Sequence, residues 1–202
     1  MEPFVDISGT AAPMLAANVD TDVIMPKQFL KGIDRNGLDR GVFFDLRFLP
    51  DGRLNPDFIL NQKPWSDARF LVVGPNFGCG SSREHAVWGL KQLGIRALIG
   101  TRFAGIFFDN CQRNGLLLIQ LSDAQLRELG ERVARPESSS IRIDLAAQTI
   151  TLDDGRTIGF AIDALRKEAL LLGLDAIGST LQRTDQIKAF EAWHLQANPW
   201  LA

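Results

Sequence analysis

Residues 76–86 read Asn76-Phe77-Gly78-Cys79-Gly80-Ser81-Ser82-Arg83-Glu84-His85-Ala86. Within this stretch Ser81, Ser82, Arg83 and His85 place two hydroxyls, a guanidinium and an imidazole close together, a set able to bind a carboxylate or phosphate and to move a proton. Gly78 and Gly80 permit positive φ and a close approach of backbone to ligand. The apolar run Phe70–Val73 before them reads as a buried strand, and residues 83–93 after them read as a helix. A helix starting near Ser82 would aim free N–H groups and a partial positive charge at the loop, which favours an anion. A structural reading competes: Ser81 with Glu84 three residues later matches a capping box. That reading accounts for Ser81 and Glu84 and leaves Gly78, Gly80, Ser82, Arg83 and His85 without a reason.

A second polar cluster lies upstream, in Ala17-Asn18-Val19-Asp20-Thr21-Asp22-Val23-Ile24-Met25-Pro26. Its carboxylates suit a turn in which they accept from nearby backbone. The functional reading is that Asp20 or Asp22 faces a cleft and orients a catalytic group. Calcium is disfavoured, because the glycine and terminal glutamate of an EF-hand loop are missing. Residues 27–66 are rich in glycine, proline and aromatics, and so long an irregular stretch in a compact domain is usually functional. Lys31, Arg35 and Arg40 within it are candidate partners for an anionic ligand, each also readable as a solvated charge.

These groups must be positioned by a chain of 202 residues, 46% hydrophobic and 23% charged, the composition of an ordinary globular protein. A formal net charge of −2 without a lysine or arginine run argues against nucleic acid or an anionic membrane as the main partner. Residues 1–25 lack the pattern of a signal peptide and no apolar run has the length of a membrane span, so a cytoplasmic location is expected. Cys79 and Cys111, the only two cysteines, cannot by themselves hold an iron–sulfur cluster or a structural zinc. Cys79 reads as a small packing residue.

Residues 4–15 read as a strand with turns. From residue 70 strands at 70–73, 97–100 and 116–121 alternate with helices at 83–93, 105–113 and 123–133, which predicts an α/β fold with a mainly parallel sheet. Segments 141–144, 149–152 and 157–160, with Asp154-Gly155 as a tight turn, predict a C-terminal β meander, and helices near 163–172 and 184–193 follow. The apolar positions of those last helices read as core.

Three function classes fit this pattern. A strand, a Gly-x-Gly turn and a helix also open a dinucleotide-binding fold, with Arg102 placed to hold a 2′-phosphate, although Arg83 stands at the third glycine position. A purely structural or binding subunit is compatible with everything except the polar groups from Ser81 to His85. An enzyme acting on a small anion uses them all.

The 76–86 motif, together with Asn18-Val19-Asp20-Thr21-Asp22, Ile24 and Pro26, closely resembles the swivel domain of the aconitase superfamily, and more narrowly the 3-isopropylmalate dehydratase small-subunit family of bacterial leucine biosynthesis. Pro26-Lys27-Gln28-Phe29-Leu30, Asn55-Pro56-Asp57-Phe58, Phe103-Ala104 with Ile106-Phe107, and the stretch from Gly173 to Gln182 extend the likeness over nearly the whole chain. The resemblance implies one swivelling β/β/α-type domain over residues 1–202 and no metal on this chain. It implies a separate large subunit that carries a [4Fe–4S] cluster. It assigns Ser81 as general base, Ser82 and Arg83 to a substrate carboxylate, and Asp22 to positioning a catalytic group of the large subunit. Arg35 follows as a second carboxylate ligand, and Gly78 and Gly80 as the backbone of the anion loop. The implied reaction is a hydro-lyase isomerisation of 2-isopropylmalate to 3-isopropylmalate through an unsaturated diacid; relatives acting on other small dicarboxylates share the glycine–serine–arginine core. Residues 32–41, with Leu30, Ile33 and Leu38, are the expected pocket for the isopropyl group.

Overall fold

The computed structural model describes residues 1–31 and 35–201. Among them a seven-stranded sheet has the order β4-β3-β2-β1-β5-β6-β7. Its strands are β1 (Asp6–Met14), β2 (Phe70–Val73), β3 (Ala97–Gly100), β4 (Leu117–Gln120), β5 (Ser140–Asp144), β6 (Thr149–Thr151) and β7 (Thr157–Gly159). The helices are α1 (Thr21–Ile24), α2 (Phe44–Arg47), α3 (Glu84–Gln92), α4 (Gly105–Arg113), α5 (Asp123–Val133), α6 (Ala164–Leu172), α7 (Ala176–Leu181) and α8 (Thr184–Ala197).

β1 joins two kinds of sheet. Its second half pairs parallel with β2, Ala11 opposite Phe70 through Met14 opposite Val73, and its first half pairs antiparallel with β5, Asp6 opposite Asp144 through Thr10 opposite Ser140. The parallel strands and the meander expected separately are therefore one continuous sheet. The expected break in residues 4–15 is absent. Pro13 is tolerated because its nitrogen lies on the same side of β1 as that of Ala11, whose N–H donates to the Ser139 carbonyl just before β5 begins, so β5 offers Pro13 no bond to lose.

β2, β3 and most of β4 are buried on both faces, as parallel strands covered by helices must be. On one face Leu71, Val73, Leu98 and Leu118 pack with Ala86, Val87 and Leu90 of α3, Phe107 and Cys111 of α4, and Leu38, Val42, Phe43 and Trp65 of the irregular 27–66 stretch. On the other face Phe70, Val72, Ala97, Ile99 and Ile119 meet Leu126, Leu129 and Val133 of α5 and Ile141, Ile143 and Ile150 of the meander. Gly89 lets this packing close. A Cβ there would stand 2.3 Å from Met25 Cε and 2.7 Å from Val42 Cγ2, so any larger residue would force these two side chains off α3.

The C-terminal helices depart from expectation. Residues 176–181 form an extra helix, and among the described residues α8 buries none of its side chains. Phe190, Trp193 and Trp200 are 58%, 62% and 76% exposed, and Ile177 and Leu181 are exposed as well. In α6 Leu170 enters the core, whereas Leu165 and Leu172 are exposed. Apolar residues at helical spacing identify a face to be covered, and spacing alone does not say that the same chain covers it.

Candidate active site at the carboxyl ends of β1, β2 and β3

The segments that follow β1, β2 and β3 lie side by side, at the sheet end where α/β proteins bind ligands. The loop after β2 is held like a short strand between the other two. Gly78 N–H donates to the Val19 carbonyl at 2.8 Å, Thr21 N–H to the Cys79 carbonyl at 2.8 Å, and Asn18 N–H to the Pro75 carbonyl at 2.9 Å. On the far side Asn76 N–H donates to the Arg102 carbonyl at 2.9 Å and Ala104 N–H to the Phe77 carbonyl at 3.2 Å. The buried hydroxyl of Thr21 donates to the Ser81 carbonyl at 2.9 Å, which fixes the backbone at the residue of interest. Gly78 (φ +78) has no alternative, since a Cβ would stand 2.2 Å from the Phe107 ring. Gly80 (φ +90) opens to space near Thr21.

α3 begins at Glu84 with Arg83 as its N-cap, and no side chain caps it. The capping box expected from Ser81 and Glu84 is not formed. Among the described residues the Ser81 hydroxyl has no hydrogen-bond partner, and Glu84 accepts instead from Asn114 Nδ2 at 2.7 Å. Ser81 and Ser82 are exposed on the loop directly before the uncapped helix start. First-turn N–H groups and hydroxyls thus face the same space, which suits an incoming anion.

The structure brings Asp22 and Arg83 together. Arg83 Nη1 pairs with Asp22 Oδ1 and approaches the Met25 carbonyl at 3.3 Å; the arginine side chain is 16% exposed and the aspartate 53%. The Asp22 carboxylate therefore aims the guanidinium through Nη1, and among the described residues Nε and Nη2 make no hydrogen bond, which leaves donors for a carboxylate. Asp20 behaves as a turn residue, its Oδ1 accepting from Val23 N–H at 2.8 Å as the N-cap of α1. His85 rests against Trp88, ring centroids 4.8 Å apart. Arg35 reaches the same helix, its guanidinium carbon 4.0 Å above the Trp88 ring.

Lys31 and Arg40 are exposed, as is Arg102. Of the expected isopropyl pocket, Gly32 and Ile33 lie outside the described residues, Leu38 is buried in the protein's own core, and Leu30 packs against that core. Two contributors escape inspection of the sequence. Thr21 sits in a motif whose carboxylates draw the chemical reading, and Asn114, which joins Glu84 to Trp88, carries only the signal of an Asn-Gly dipeptide after a helix.

Burial pushes the Cys111 thiol well above its ordinary pKa, which makes it inert, and Cys79 is half-buried. Among the described residues no three histidine, cysteine or acidic side chains converge, so these residues do not fit an iron–sulfur cluster or a zinc ion.

The aconitase C-terminal domain family model matches residues 1–124, and the LeuD_N model matches residues 127–164. Residues 177–202 match the model for the C-terminal domain of the 3-isopropylmalate dehydratase small subunit. The chain is 62% identical over 201 residues to 3-isopropylmalate dehydratase small subunit 1 of Mannheimia succiniciproducens, covering 100% of this chain and 99% of the relative. It is 58% identical over 201 residues to 3-isopropylmalate dehydratase small subunit 2 of Salmonella typhimurium, covering 100% and 96%. The crystal structure of 3-isopropylmalate dehydratase (leuD) from Methanocaldococcus jannaschii is similar at a TM-score of 0.67 and 28% identity, over 93% of this chain and 99% of that one. With its full length matched at such identity and its strands, loop and helix start arranged as described, the chain belongs to the family of 3-isopropylmalate dehydratase small subunits.

Proposed function

We propose that this chain is the small subunit of a two-subunit hydro-lyase that interconverts 2-isopropylmalate and 3-isopropylmalate by dehydration and rehydration in leucine biosynthesis. The loop itself argues against the dinucleotide alternative: Arg83 occupies the position where a nucleotide loop needs its third glycine, and it is committed to Asp22. The observation that carries the reading is the single face formed by the exposed Ser81 and Ser82 hydroxyls, the uncapped start of α3 and the Arg83 guanidinium aimed by Asp22.

Dehydration of such a diacid breaks a C–H and a C–OH bond, so it requires a group that accepts the proton from carbon, a Lewis acid to take the leaving hydroxyl, which the large subunit's cluster would supply, and groups that hold the carboxylates still. Ser81 is the proposed acceptor. A serine hydroxyl is a weak base in water, and its alkoxide needs preorganised N–H donors and a nearby cation in a site closed to solvent. The start of α3 and Arg83 supply the donors and the charge. Closure must come from outside, because Ser81 and Ser82 are exposed on this chain. Ser82 and Arg83 bind one carboxylate, Arg83 through the part of its fork that Asp22 leaves open, and Arg35 binds the other. Asp22 retains exposed surface through which it can also meet a group of the partner.

The partner is the large subunit, which in this reading carries the [4Fe–4S] cluster and closes the cleft. The exposed apolar residues of α7 and α8 support a chain that works with a partner, since large exposed side chains such as Phe190 and Trp193, whose rings lie 5.8 Å apart, are costly in water. The reading takes the chain as one swivel domain, with β1 tying both halves of the sheet together. It places the protein in the cytoplasm, where free thiols stay reduced. Among the described residues no helix is long and apolar enough to cross a membrane.

The test is reconstitution with a cluster-loaded large subunit and an assay on 2-isopropylmalate, citrate and smaller hydroxy-diacids. Turnover of 2-isopropylmalate by the complex and none by this chain alone is expected. Preference for a smaller diacid would move the assignment to a related hydratase, and turnover by the lone chain would overturn the two-subunit reading.

A further inference from the structure

Arg35 and Arg83 are held in different ways. Arg83 spends in-plane N–H groups on Asp22 and Met25. Arg35 instead lies with its guanidinium carbon 4.0 Å above the centroid of the Trp88 ring, and among the described residues no carboxylate pairs with it. A cation–π contact engages the charge of a guanidinium with the ring and needs none of its N–H donors as a hydrogen bond, so those donors stay available to a carboxylate. A platform of this kind therefore positions an arginine without consuming its recognition edge.

The platform is itself fixed. Trp88 Nε1 donates to Asn114 Oδ1 at 2.9 Å, and Asn114 Nδ2 donates to Glu84 Oε1 at 2.7 Å and to the Asn110 carbonyl at 2.9 Å. The indole is thus tied through Asn114 to the first residue of α3. One turn further along, Gln92 holds the backbone that carries Arg35: its amide nitrogen donates to the Arg35 carbonyl, and its oxygen accepts from Leu38 N–H at 2.8 Å. Trp88 and Gln92 are four residues apart and so share one face of α3. Side chains on a helix lean toward its N-terminus, so the Trp88 ring tips toward the Ser82–Arg83 end, where it meets His85.

We infer that Trp88 is a positioning residue: its indole face, locked by Asn114 and Glu84, seats the Arg35 guanidinium beside the start of α3, and Gln92 pins the 35–38 backbone to the same helix. Arg83 at the start of α3 and Arg35 seated on Trp88 of the same helix then address the two carboxylates of one diacid. This rests on the proposed role of Arg35 in substrate binding, and it adds the group that makes that role possible from an irregular, exposed segment.

The experiment has two readouts. In the isolated chain, the Arg35 Hδ resonances carry an upfield ring-current shift that disappears in Trp88→Leu and persists in Trp88→Phe. In the complex with the large subunit, Arg35→Ala raises KM about tenfold or more, as loss of a charged hydrogen bond does. Trp88→Leu raises KM about two- to fivefold, the scale of an exposed cation–π contact, with a smaller change in kcat. Trp88→Phe keeps most of the wild-type KM, and Trp88→Leu added to Arg35→Ala raises KM no further. An unshifted Arg35 in the wild type, or KM effects of Trp88→Leu and Arg35→Ala that multiply, would overturn the inference. So would a Trp88→Leu enzyme that loses kcat at unchanged KM. Failure of the functional reading looks different: the wild-type complex would not turn over isopropylmalate at all, while the ring-current shift would still be present.

Discussion

Ser81→Ala separates the two roles that residues of this kind play at a helix start. A capping serine replaced by alanine costs about 0.5–2 kcal/mol of stability. Here α3 begins at Glu84, its N-cap Arg83 receives no side-chain bond, and the Ser81 hydroxyl has no partner among the described residues. The contact that fixes this residue runs through its backbone carbonyl to Thr21, which alanine preserves. The expected stability change is therefore within about 0.5 kcal/mol, the usual range for an exposed substitution away from special features. The kinetic effect should be far larger. A positioned general base contributes roughly 10²–10⁴-fold, or about 3–5 kcal/mol of barrier. Urea unfolding of the isolated chain measures the first quantity, and kcat in the reconstituted complex the second. Exchange of the substrate's carbon-bound proton with deuterated solvent, which should vanish together with turnover, identifies the step. A loss of stability above about 1 kcal/mol with kcat near wild type would show that Ser81 is structural; exchange at the wild-type rate without Ser81 would place the base on the large subunit.

Arg83→Lys should keep the fold but lose about 1.5–3 kcal/mol of transition-state binding in kcat/KM of the complex, because a lysine cannot serve Asp22 and a carboxylate with parallel bonds. Gly78→Ala should destabilise the isolated chain by about 2–4 kcal/mol, combining positive φ with the Phe107 clash, whereas Gly37→Ala, at φ +73 with nothing near the added Cβ, should cost only about 1 kcal/mol in the same urea titration. The Arg142 guanidinium, bonded to Asp6 across β1 and β5, holds the Asp6 carboxyl below its usual 3.8. The folded state thus releases that proton more readily, so the contribution is fully present above the usual value and is lost as pH falls below it, through the lower value of the folded state. Urea midpoints of wild type and Asp6→Asn should differ by a constant amount above about pH 5 and converge below about pH 4. Phe190→Ser with Trp193→Ser should leave the melting of the isolated chain unchanged, because both side chains are exposed, and weaken association with the large subunit about tenfold or more in a binding titration.

Local patterns in the chain were sufficient for most elements of the sheet and the helices between them, though not for α7 or for the unbroken β1. The four-residue apolar runs at 70–73 and 97–100 are the doubly covered strands their sequence suggests, and Ser122 caps α5, its side chain accepting from Gln125 N–H. Asp154-Gly155 makes its turn, with Gly155 at φ +83. The Gly78–Arg83 stretch was legible as chemistry because glycine, serine and arginine at that density have no purely local use. Three matters needed the tertiary structure. Whether Ser81 caps or is free depends on where α3 starts, and that start is set by bonds from Val19 and Thr21, about sixty positions earlier, which carry the loop past Ser82 before the helix turns. The partners of Arg83 and Arg35 are likewise distant in the chain: Asp22 lies on the segment after β1, and Trp88 on α3, and no spacing rule links them. The third is α8, whose apolar residues recur at helical spacing but are less sharply segregated to one face than those of α5. Burial there is decided by which surface meets it, a property of the packed whole rather than of the helix.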